Sequence, residues 1–234
     1  MFKKDAICII PARAGSKRIK NKNIVNFNNK PLISYSINIA LRSKLFKRII
    51  VSTDNKNIKK IALKYGAEVP FIRPKKLSDD FTGTTEVLKH AIMKIKSENT
   101  KYHFCIYPTA PLINIKDLKK AYNKIKKKNY SHLIATNNNG LSPLRSFKVN
   151  KDTIKFKWPK FANKRSQDLE NLVFDSGTFY IYKTKDLKKS NKILPQKTTY
   201  YNIDRFRAID INYLEDLKFA EFLYQYKKKK KNEF

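Results

Sequence analysis

Short apolar runs alternate with helix-like stripes from residue 6 to residue 136, and this alternation limits the possible folds more than any other feature. The runs are too short for helices and apolar enough to be buried on both faces, as is typical of parallel strands. They lie at residues 6–10, 48–51, 67–71, 102–107 and 133–136. Between them, apolar residues recur every three or four positions, at residues 31–41, 58–65, 85–95 and 115–126. The pattern predicts an α/β fold with three layers, in which helices cover both faces of a mostly parallel sheet.

The alternation breaks down after residue 137. A turn cluster at residues 137–140 is followed by an irregular, hairpin-like stretch up to residue 165. We predict that residues 140–180 leave the parallel core, either to cover a substrate or to pair with a second subunit, within one domain of residues 1–226. The remaining predictions are a strand over residues 174–182, a last strand over 208–211, a closing helix over 213–226 and a frayed basic tail over 227–234.

The chain is strongly basic, with 52 Lys and Arg residues against 19 Asp and Glu residues and a formal net charge of +33. One interpretation is a polyanionic partner, such as nucleic acid or a phosphorylated substrate. The other is a compositional bias, because the lysines are spread along the chain and are not gathered in one stripe with interleaved aromatic residues. We favour the bias and expect no nucleic-acid partner.

The cysteines and the apolar runs bear on where the protein works. Cys8 and Cys105 both lie in strand-like runs, where a thiol packs as a small apolar group, and nothing in their spacing favours a disulfide or a zinc site. The apolar runs are far too short to span a bilayer, and the first residues lack the features of a secretory signal. We therefore expect a cytoplasmic protein without a membrane partner.

The loop after the first strand is the strongest candidate site. Residues 10–23 read IPARAGSKRIKNKN, and open α/β sheets bind phosphates at this place, beyond the carboxyl end of a strand. Gly15 permits close approach of the backbone, Ser16 offers a hydroxyl, and the cations suited to a triphosphate are Arg13, Lys17 and Lys22. The loop is neither a Walker A loop nor a dinucleotide-binding fingerprint. From the residues alone, a basic surface loop that contains one glycine is the alternative.

This loop resembles the N-terminal signature of the CMP-sialic acid synthetase family of cytidylyltransferases, with Ala14 in place of the usual Gly. The similarity continues through residues 30–33 (KPLI) and 51–54 (VSTD). The resemblance implies that Arg73 and Thr84 contact the cytidine of CTP. Without the family, residues 79–84 are better explained as the cap of the next helix. The resemblance further implies that Arg13, Ser16, Lys22 and Asn23 bind the phosphates and nucleoside of CTP. We add Ala12, Gly15 and Lys17 of the same loop as candidate CTP contacts.

Two further motifs differ from the sialic acid enzymes where the sugar is expected to lie. Residues 107–111 (YPTAP) carry Tyr107 where those enzymes usually have Gln, and residues 174–180 (FDSGTFY) carry Asp175 where they tend to have Asn. Both differences, together with residues 78–84 (SDDFTGT), resemble the pseudaminic acid branch of the family. The resemblance implies sugar contacts from Tyr107, Thr109, Asp175 and Phe179.

The last motif is Asp210-Ile211-Asn212, in the position of a family pattern in which two Asp residues hold metal. An Asp at a strand end opposite a phosphate loop is well placed to bind Mg²⁺. The alternative is that either residue caps the final helix, a role for which Asn212 is well placed. We expect Asp210 to be the principal ligand, with Asn212 as the second candidate, and Mg²⁺ to be the cofactor.

The sequence as a whole predicts a nucleotidyltransferase that transfers CMP from CTP to the anomeric hydroxyl of an acidic nine-carbon sugar, most closely pseudaminic acid. Arg13, Lys22 and Asp210 are the candidate catalytic residues, because they bring opposite charge to the reacting phosphates and the metal. The alternatives are the same reaction on N-acetylneuraminic, legionaminic or 3-deoxy-octulosonic acid and, in another class, a basic nucleic-acid-binding protein. The resemblance also implies a homodimer, formed through residues 140–180.

Overall fold

The computed structural model describes residues 5–138, 140, 142–189, 195 and 197–232. These residues form a six-stranded sheet in the order β10-β6-β9-β5-β1-β4. All neighbouring strands are parallel except β9, which runs antiparallel to both β5 and β6. The strands are β1 (Ala6–Pro11), β4 (Phe46–Ser52), β5 (Tyr102–Ile106), β6 (His132–Asn137), β9 (Phe174–Lys183) and β10 (Thr198–Asn202). Two small hairpins complete the strands, namely β2 (Asn26–Phe27) with β3 (Lys30–Pro31) and β7 (Phe147–Asn150) with β8 (Thr153–Phe156).

Helices cover both faces of the sheet, so the predicted three-layer α/β fold is confirmed. Alternate residues of β1 enter two different cores, with Cys8 in one and Ile9 in the other, which explains why this strand is apolar throughout. The first core packs against helices α1 (Leu32–Ser43), α2 (Lys56–Lys64) and α4 (Ile115–Lys127). The second core packs against α3 (Thr84–Lys94) and α5 (Thr184–Lys189), and α6 (Leu214–Asn232) closes a third, smaller core over β2.

Three predicted segments differ from the structure. Residues 67–71 contribute only an isolated bridge between Glu68 and Ile50, because the chain leaves the edge of β4 at once. Residues 208–211 are not a strand; the last strand is β10, whose sequence TTYYN is only partly buried at the sheet edge and gave no apolar signal. The basic tail was predicted to be frayed, whereas in the structure α6 continues through it to Asn232.

The segment between β6 and β9 leaves the sheet as predicted, but it returns earlier. It contains the β7–β8 hairpin, whose residues are almost all exposed, and it ends where β9 begins at Phe174. Strand β9 is distorted near its start, because the six residues from Asp175 to Tyr180 lie opposite the three residues from Ile134 to Thr136 on β6. Gly177 adopts a φ of 60° at this bulge, in the left-handed region that favours glycine.

No helix among the described residues is both long enough and apolar enough to cross a membrane.

Two buried histidines make the stability of the fold sensitive to acid. His103 lies between the hydroxyls of Ser97 (3.0 Å) and Thr184 (2.7 Å), and the His132 ring stacks on Tyr182 with 4.2 Å between ring centroids. Burial lowers the pKa of both histidines from 6.5 to about 4. The unfolded chain therefore binds more protons between these values. Their contribution to stability is complete above about pH 6.5 and is lost as the pH falls towards 4.

We expect the free energy of unfolding to fall between pH 6.5 and pH 4 by up to about 3 kcal/mol for each of the two histidines. Urea unfolding of the parent and of His132→Phe at several pH values measures this effect. In the variant, unfolding should take up about one proton fewer over this pH range, so the free energy of unfolding should depend less steeply on pH. An unchanged slope in His132→Phe would contradict the assignment of the acid sensitivity to this ring.

Candidate active site

A cleft of about 400 Å³ opens beyond the carboxyl ends of β1 and β5. This volume is within the usual range for a small-molecule site. Residues predicted separately from three motifs line the cleft, namely Arg13, Ser16, Lys17, Lys22, Asn23, Arg73, Thr84, Tyr107 and Thr109. Gly15 lies beside it, in a shallower groove over the same loop. The structure therefore brings the first loop, the start of α3 and the end of β5 together around one space.

Hydrogen bonds to neighbouring segments hold the first loop in place. The amide of Ala14 donates to the Asp54 carboxylate at 3.0 Å, and the buried Asn23 side chain donates to the Arg13 carbonyl at 2.8 Å. Ala12 is fully buried and its amide donates to the Ser52 carbonyl. Ala12 thus lies beneath the cleft surface, and its predicted contact with CTP stays a prediction that the structure does not support. Asp54 was missed as a support of the site, although it ends the VSTD motif.

Two cations of the loop share one carboxylate. Asp80 accepts from Arg13 Nη2 at 2.6 Å and lies 2.6 Å from Lys17 Nζ. Lys17 and Arg13 hold the pKa of Asp80 below its usual range. The alternative role as a helix cap is wrong for the acidic pair, because the N-cap of α3 is Gly83 and has no side-chain hydrogen bond. Asp79 instead accepts from the amides of Phe81 and Thr82, in the loop before the helix. Asp80 instead neutralises the cations that were predicted to bind phosphate, so a phosphate ligand must compete with it.

Replacing Asp80 with Asn is expected to tighten the binding of inorganic pyrophosphate by roughly threefold to tenfold, because the competing carboxylate is lost. Titration calorimetry at low and high salt measures the effect. Asp152→Asn is the matched control, since it makes the same charge change at an exposed residue of the distant β7–β8 turn. Equal or weaker pyrophosphate binding by the Asp80 variant, relative to that control, would contradict the competition.

Lys22 connects the first loop to the segment that carries Asp210. Its ammonium group donates to the Ile211 carbonyl at 2.8 Å and lies 3.5 Å from Asn212 Oδ1. Burial lowers the pKa of Lys22, and the Asp210 carboxylate opposes this shift. Asp210 in turn lies against Gly177 of β9, where a Cβ atom would be 3.5 Å from its carboxyl carbon. The aspartate therefore faces the first loop, as the predicted metal role requires.

The surroundings of Asp210 decide which atoms are available to a metal. Asp210 is exposed, and one of its oxygens accepts from Asn212 Nδ2 at 2.6 Å. The Asn212 oxygen is directed towards Lys22, so this amide ligates only if it leaves that contact. The described residues contain no group of three His, Cys, Asp or Glu side chains that could hold a metal. Asp210 and Asn212 therefore suit a hard, oxygen-preferring cation that takes one carboxylate from the protein and further oxygens from phosphates.

Arg73 and Thr84 form the opposite wall of the cleft. Arg73 is buried, and its Nε donates to Ser78 Oγ at 3.0 Å. Burial lowers the pKa of the guanidinium, and Asp54 opposes the shift. Thr84 begins α3, and its hydroxyl lies 2.5 Å from the Tyr107 hydroxyl.

The predicted sugar contacts divide into three groups. Tyr107 and Thr109 line the cleft, as expected of residues that contact a ligand. Asp175 is exposed beyond the cleft wall, where its carboxylate accepts from Tyr180 at 2.6 Å and from the Gly177 amide at 2.9 Å. Phe179 is fully buried in the first core, so its predicted sugar contact stays a prediction that the structure does not support. In that motif the residue beside the site is its neighbour Tyr180, which the sequence did not single out.

Comparisons with known proteins identify the family of this chain. Residues 7–231 match a family model described as "Cytidylyltransferase". The chain is 40% identical over 222 residues to a pseudaminic acid cytidylyltransferase of Campylobacter jejuni, covering 94% of this chain and 96% of that protein. A CMP-N,N'-diacetyllegionaminic acid synthase of the same species is 34% identical, with 94% of each chain covered. The fold is similar to a solved CMP:2-keto-3-deoxy-manno-octonic acid synthetase complexed with CTP, with a TM-score of 0.71, 13% identity and coverage of 95% and 99%.

Proposed function

Because the chain belongs to the cytidylyltransferase family and is an enzyme of the nucleotidyltransferase type, we propose that it transfers CMP from CTP to the anomeric hydroxyl of pseudaminic acid. The observation that carries the proposal is the cleft itself. It joins a loop rich in cations to the Arg73 wall on one side and to Tyr107 and Thr109 on the other. The choice of sugar rests on the 40% identical relative, and on Tyr107 and Asp175, which distinguish this chain from the sialic acid enzymes.

In the proposed reaction the anomeric oxygen of the sugar attacks the α-phosphorus of CTP. A new P–O bond forms as the bond to the β-phosphate breaks, and pyrophosphate leaves with the electron pair. Arg13 and Lys17 neutralise the outer phosphates once Asp80 is displaced, and Lys22 brings positive charge towards the α-phosphate. Arg73 and Thr84 bind the nucleoside. Most of the rate enhancement then comes from positioning and from charge stabilisation.

We propose Mg²⁺ as the cofactor, held by Asp210 with Asn212 beside it. When bound, it supplies positive charge to the phosphate oxygens. We also keep the predicted cytoplasmic location, which agrees with the two free, buried thiols of Cys8 and Cys105.

Incubation with CTP, Mg²⁺ and a panel of nonulosonic acids tests the function. The panel contains pseudaminic, N-acetylneuraminic, legionaminic and 3-deoxy-octulosonic acids, and the readouts are pyrophosphate release and the mass of the CMP-sugar. We expect the highest kcat/KM with pseudaminic acid. A preference for another acid would overturn the sugar assignment alone, whereas no turnover with any of them would overturn the proposed reaction.

We propose that the protein is a homodimer and that the β7–β8 hairpin forms part of its interface. The hairpin and the turn after it expose four large apolar side chains, namely Phe147, Val149, Ile154 and Trp158. Exposed apolar patches often mark protein–protein interfaces, where burial would stabilise the complex. Light scattering at micromolar concentration should give twice the chain mass for the parent, and a smaller mass for Val149→Asp/Ile154→Asp. A monomeric parent would contradict the proposal.

A further inference from the structure

Asp210 lies on a stretch of chain that has no regular secondary structure of its own. Residues 208–212 form neither helix nor strand, and they lead from the short 3₁₀ turn Arg205–Arg207 towards the start of α6. A metal ligand needs a fixed position, because a displacement on the order of 0.5 Å already disturbs a coordination site. Contacts with neighbouring segments must therefore hold this aspartate in place.

Beyond Asp210, the stretch is fixed to the first loop and to α6. Lys22 Nζ donates to the Ile211 carbonyl at 2.8 Å, and the fully buried Ile211 side chain packs in the third core. Asp216 of α6 accepts from the Asn212 amide at 2.9 Å. The position of the chain just after the aspartate is therefore determined by these contacts.

Before Asp210, an ion pair fixes the stretch to a helix that is 90 residues away in the sequence. The Arg207 guanidinium donates to Oδ2 of Asp117, a residue in the first turn of α4 that is only 1% exposed. The Lys227 ammonium of α6 donates to the Phe206 carbonyl of the same turn at 3.4 Å. The turn is therefore held between two helices, three residues before the proposed metal ligand.

Groups other than Arg207 hold the Asp117 carboxylate in a fixed orientation. Its Oδ2 accepts from the Asn114 amide at 3.0 Å, and the Asp117 amide donates to Asn114 Oδ1 at 2.9 Å, which together form a capping box at the start of α4. Its Oδ1 accepts from the Tyr201 hydroxyl of β10 at 3.3 Å. Arg207 therefore binds an acceptor whose position is set by α4 and by the sheet.

A buried ion pair contributes less to stability than its contacts suggest. Removing two charges from water costs free energy that their attraction only partly offsets, and apolar residues of similar volume often stabilise a protein as well or better. What the pair adds is direction, because a guanidinium and a carboxylate bind in few orientations. The pair of Asp117 and Arg207 thus suits a place where the course of the chain matters, and here the chain leads to Asp210.

We propose that Asp117 and Arg207 are positioning residues for Asp210, an inference that rests on the proposed metal role of this aspartate. The ion pair fixes the turn, and the turn sets the course of the stretch that follows it. Asp210 then lies against Gly177 and faces the first loop, where the proposed cation would meet the phosphates. Neither Asp117 nor Arg207 lines the cleft, so both act through Asp210.

Two variants separate positioning from folding. Arg207→Leu leaves Asp117 as a buried charge without its ion-pair partner, so it should lower both the melting temperature and the affinity for metal. Asp117→Asn combined with Arg207→Leu removes both charges, keeps an acceptor for the Asn114 amide and should recover most of the stability.

Mn²⁺ binding in the presence of CTP, followed by electron paramagnetic resonance, is the decisive readout. In both variants it should be roughly tenfold to 100-fold weaker than in the parent, the usual loss for a group that orients a metal ligand. The turnover rate should fall by a similar factor at low Mg²⁺ and recover in part as Mg²⁺ is raised. Parental Mn²⁺ affinity in a folded double variant would overturn the positioning role and assign the ion pair to stability alone.

Tyr201→Phe is the matched control, because it removes a hydrogen bond from the same carboxylate on the side of β10. Its Mn²⁺ affinity should stay within about twofold of the parent. If the double variant does not fold, Arg207→Lys decides, since it keeps the charge but lacks the paired donors of a guanidinium. Its Mn²⁺ affinity should weaken at least about threefold, and an unchanged affinity would overturn the inference.

The same measurements distinguish this inference from the proposed function. An active parent whose Mn²⁺ binding does not depend on Asp210 would remove both the metal role and the positioning role, but not the proposed reaction. A parent that turns over no nonulosonic acid would overturn the proposed function, whereas Mn²⁺ binding would still decide the role of the ion pair.

Discussion

Replacing Asp210 with Ala is expected to lower turnover by roughly 100-fold to 1,000-fold while the protein remains folded. The loss follows from the position of the carboxylate, which faces the first loop and supports the charge of Lys22. The fold should tolerate the change, because Asp210 is exposed and its removal leaves no buried polar group without a partner. Steady-state kinetics with CTP and Mg²⁺ measure the loss, and thermal unfolding checks the fold.

Glu215→Ala is the control for Asp210→Ala, since it removes an exposed carboxylate from the start of α6 in the same segment. Its turnover should be within twofold of the parent. Mn²⁺ binding, followed by electron paramagnetic resonance in the presence of CTP, provides a readout that does not depend on turnover. Binding should weaken at least tenfold in Asp210→Ala and stay unchanged in Glu215→Ala. Full activity of the Asp210 variant would remove this residue from the mechanism.

Arg13→Ala should also lose roughly 100-fold to 1,000-fold in kcat/KM, because it removes a cation that stabilises charge on the transferring phosphates. The loss should appear in pyrophosphate binding as well, which calorimetry measures without the sugar. Arg13→Lys should recover only part of the activity, since an ammonium lacks the paired donors of a guanidinium.

Arg165→Ala is the matched control for Arg13→Ala. Arg165 forms a comparable exposed ion pair with Asp168 at 2.9 Å, outside the cleft. Surface pairs of this kind contribute little to stability, so neither variant should unfold the protein. An Arg13 variant as active as the Arg165 variant would show that phosphate charge is neutralised elsewhere.

The sequence predicts the part of the fold in which burial dictates composition. Strand β1 is apolar at every position because both of its faces enter a core, and the loop after it could be located from this strand alone. Strand β10 was missed because an edge strand that is only partly buried has little need for apolar residues. The antiparallel course of β9 within the sheet was missed too, since pairing partners leave no periodic signal in the strand itself.

The candidate site shows the same division. The residues of the first loop that line the cleft were predicted from their charge and their place after β1, whereas those of the other two motifs were predicted from the family resemblance. Asp80 and Tyr180 were not identified, because their roles depend on contacts with residues distant in the sequence or across a bulge. Phe179 and Tyr180 are neighbours in one motif, and only one of them can point into the first core. The bulge at Gly177 shifts the alternation of side chains along β9, so the sequence alone did not show which of the two it is.

A crystal structure with CTP and Mn²⁺ is the most direct test of the central claim, because the anomalous signal of Mn²⁺ locates the metal independently of the nucleotide. We predict the triphosphate against Arg13, Ser16 and Lys17, with Asp80 displaced and the metal about 2.1 Å from an Asp210 oxygen. A nucleotide bound away from residues 12–23, or a metal that bridges the phosphates without Asp210, would contradict the account.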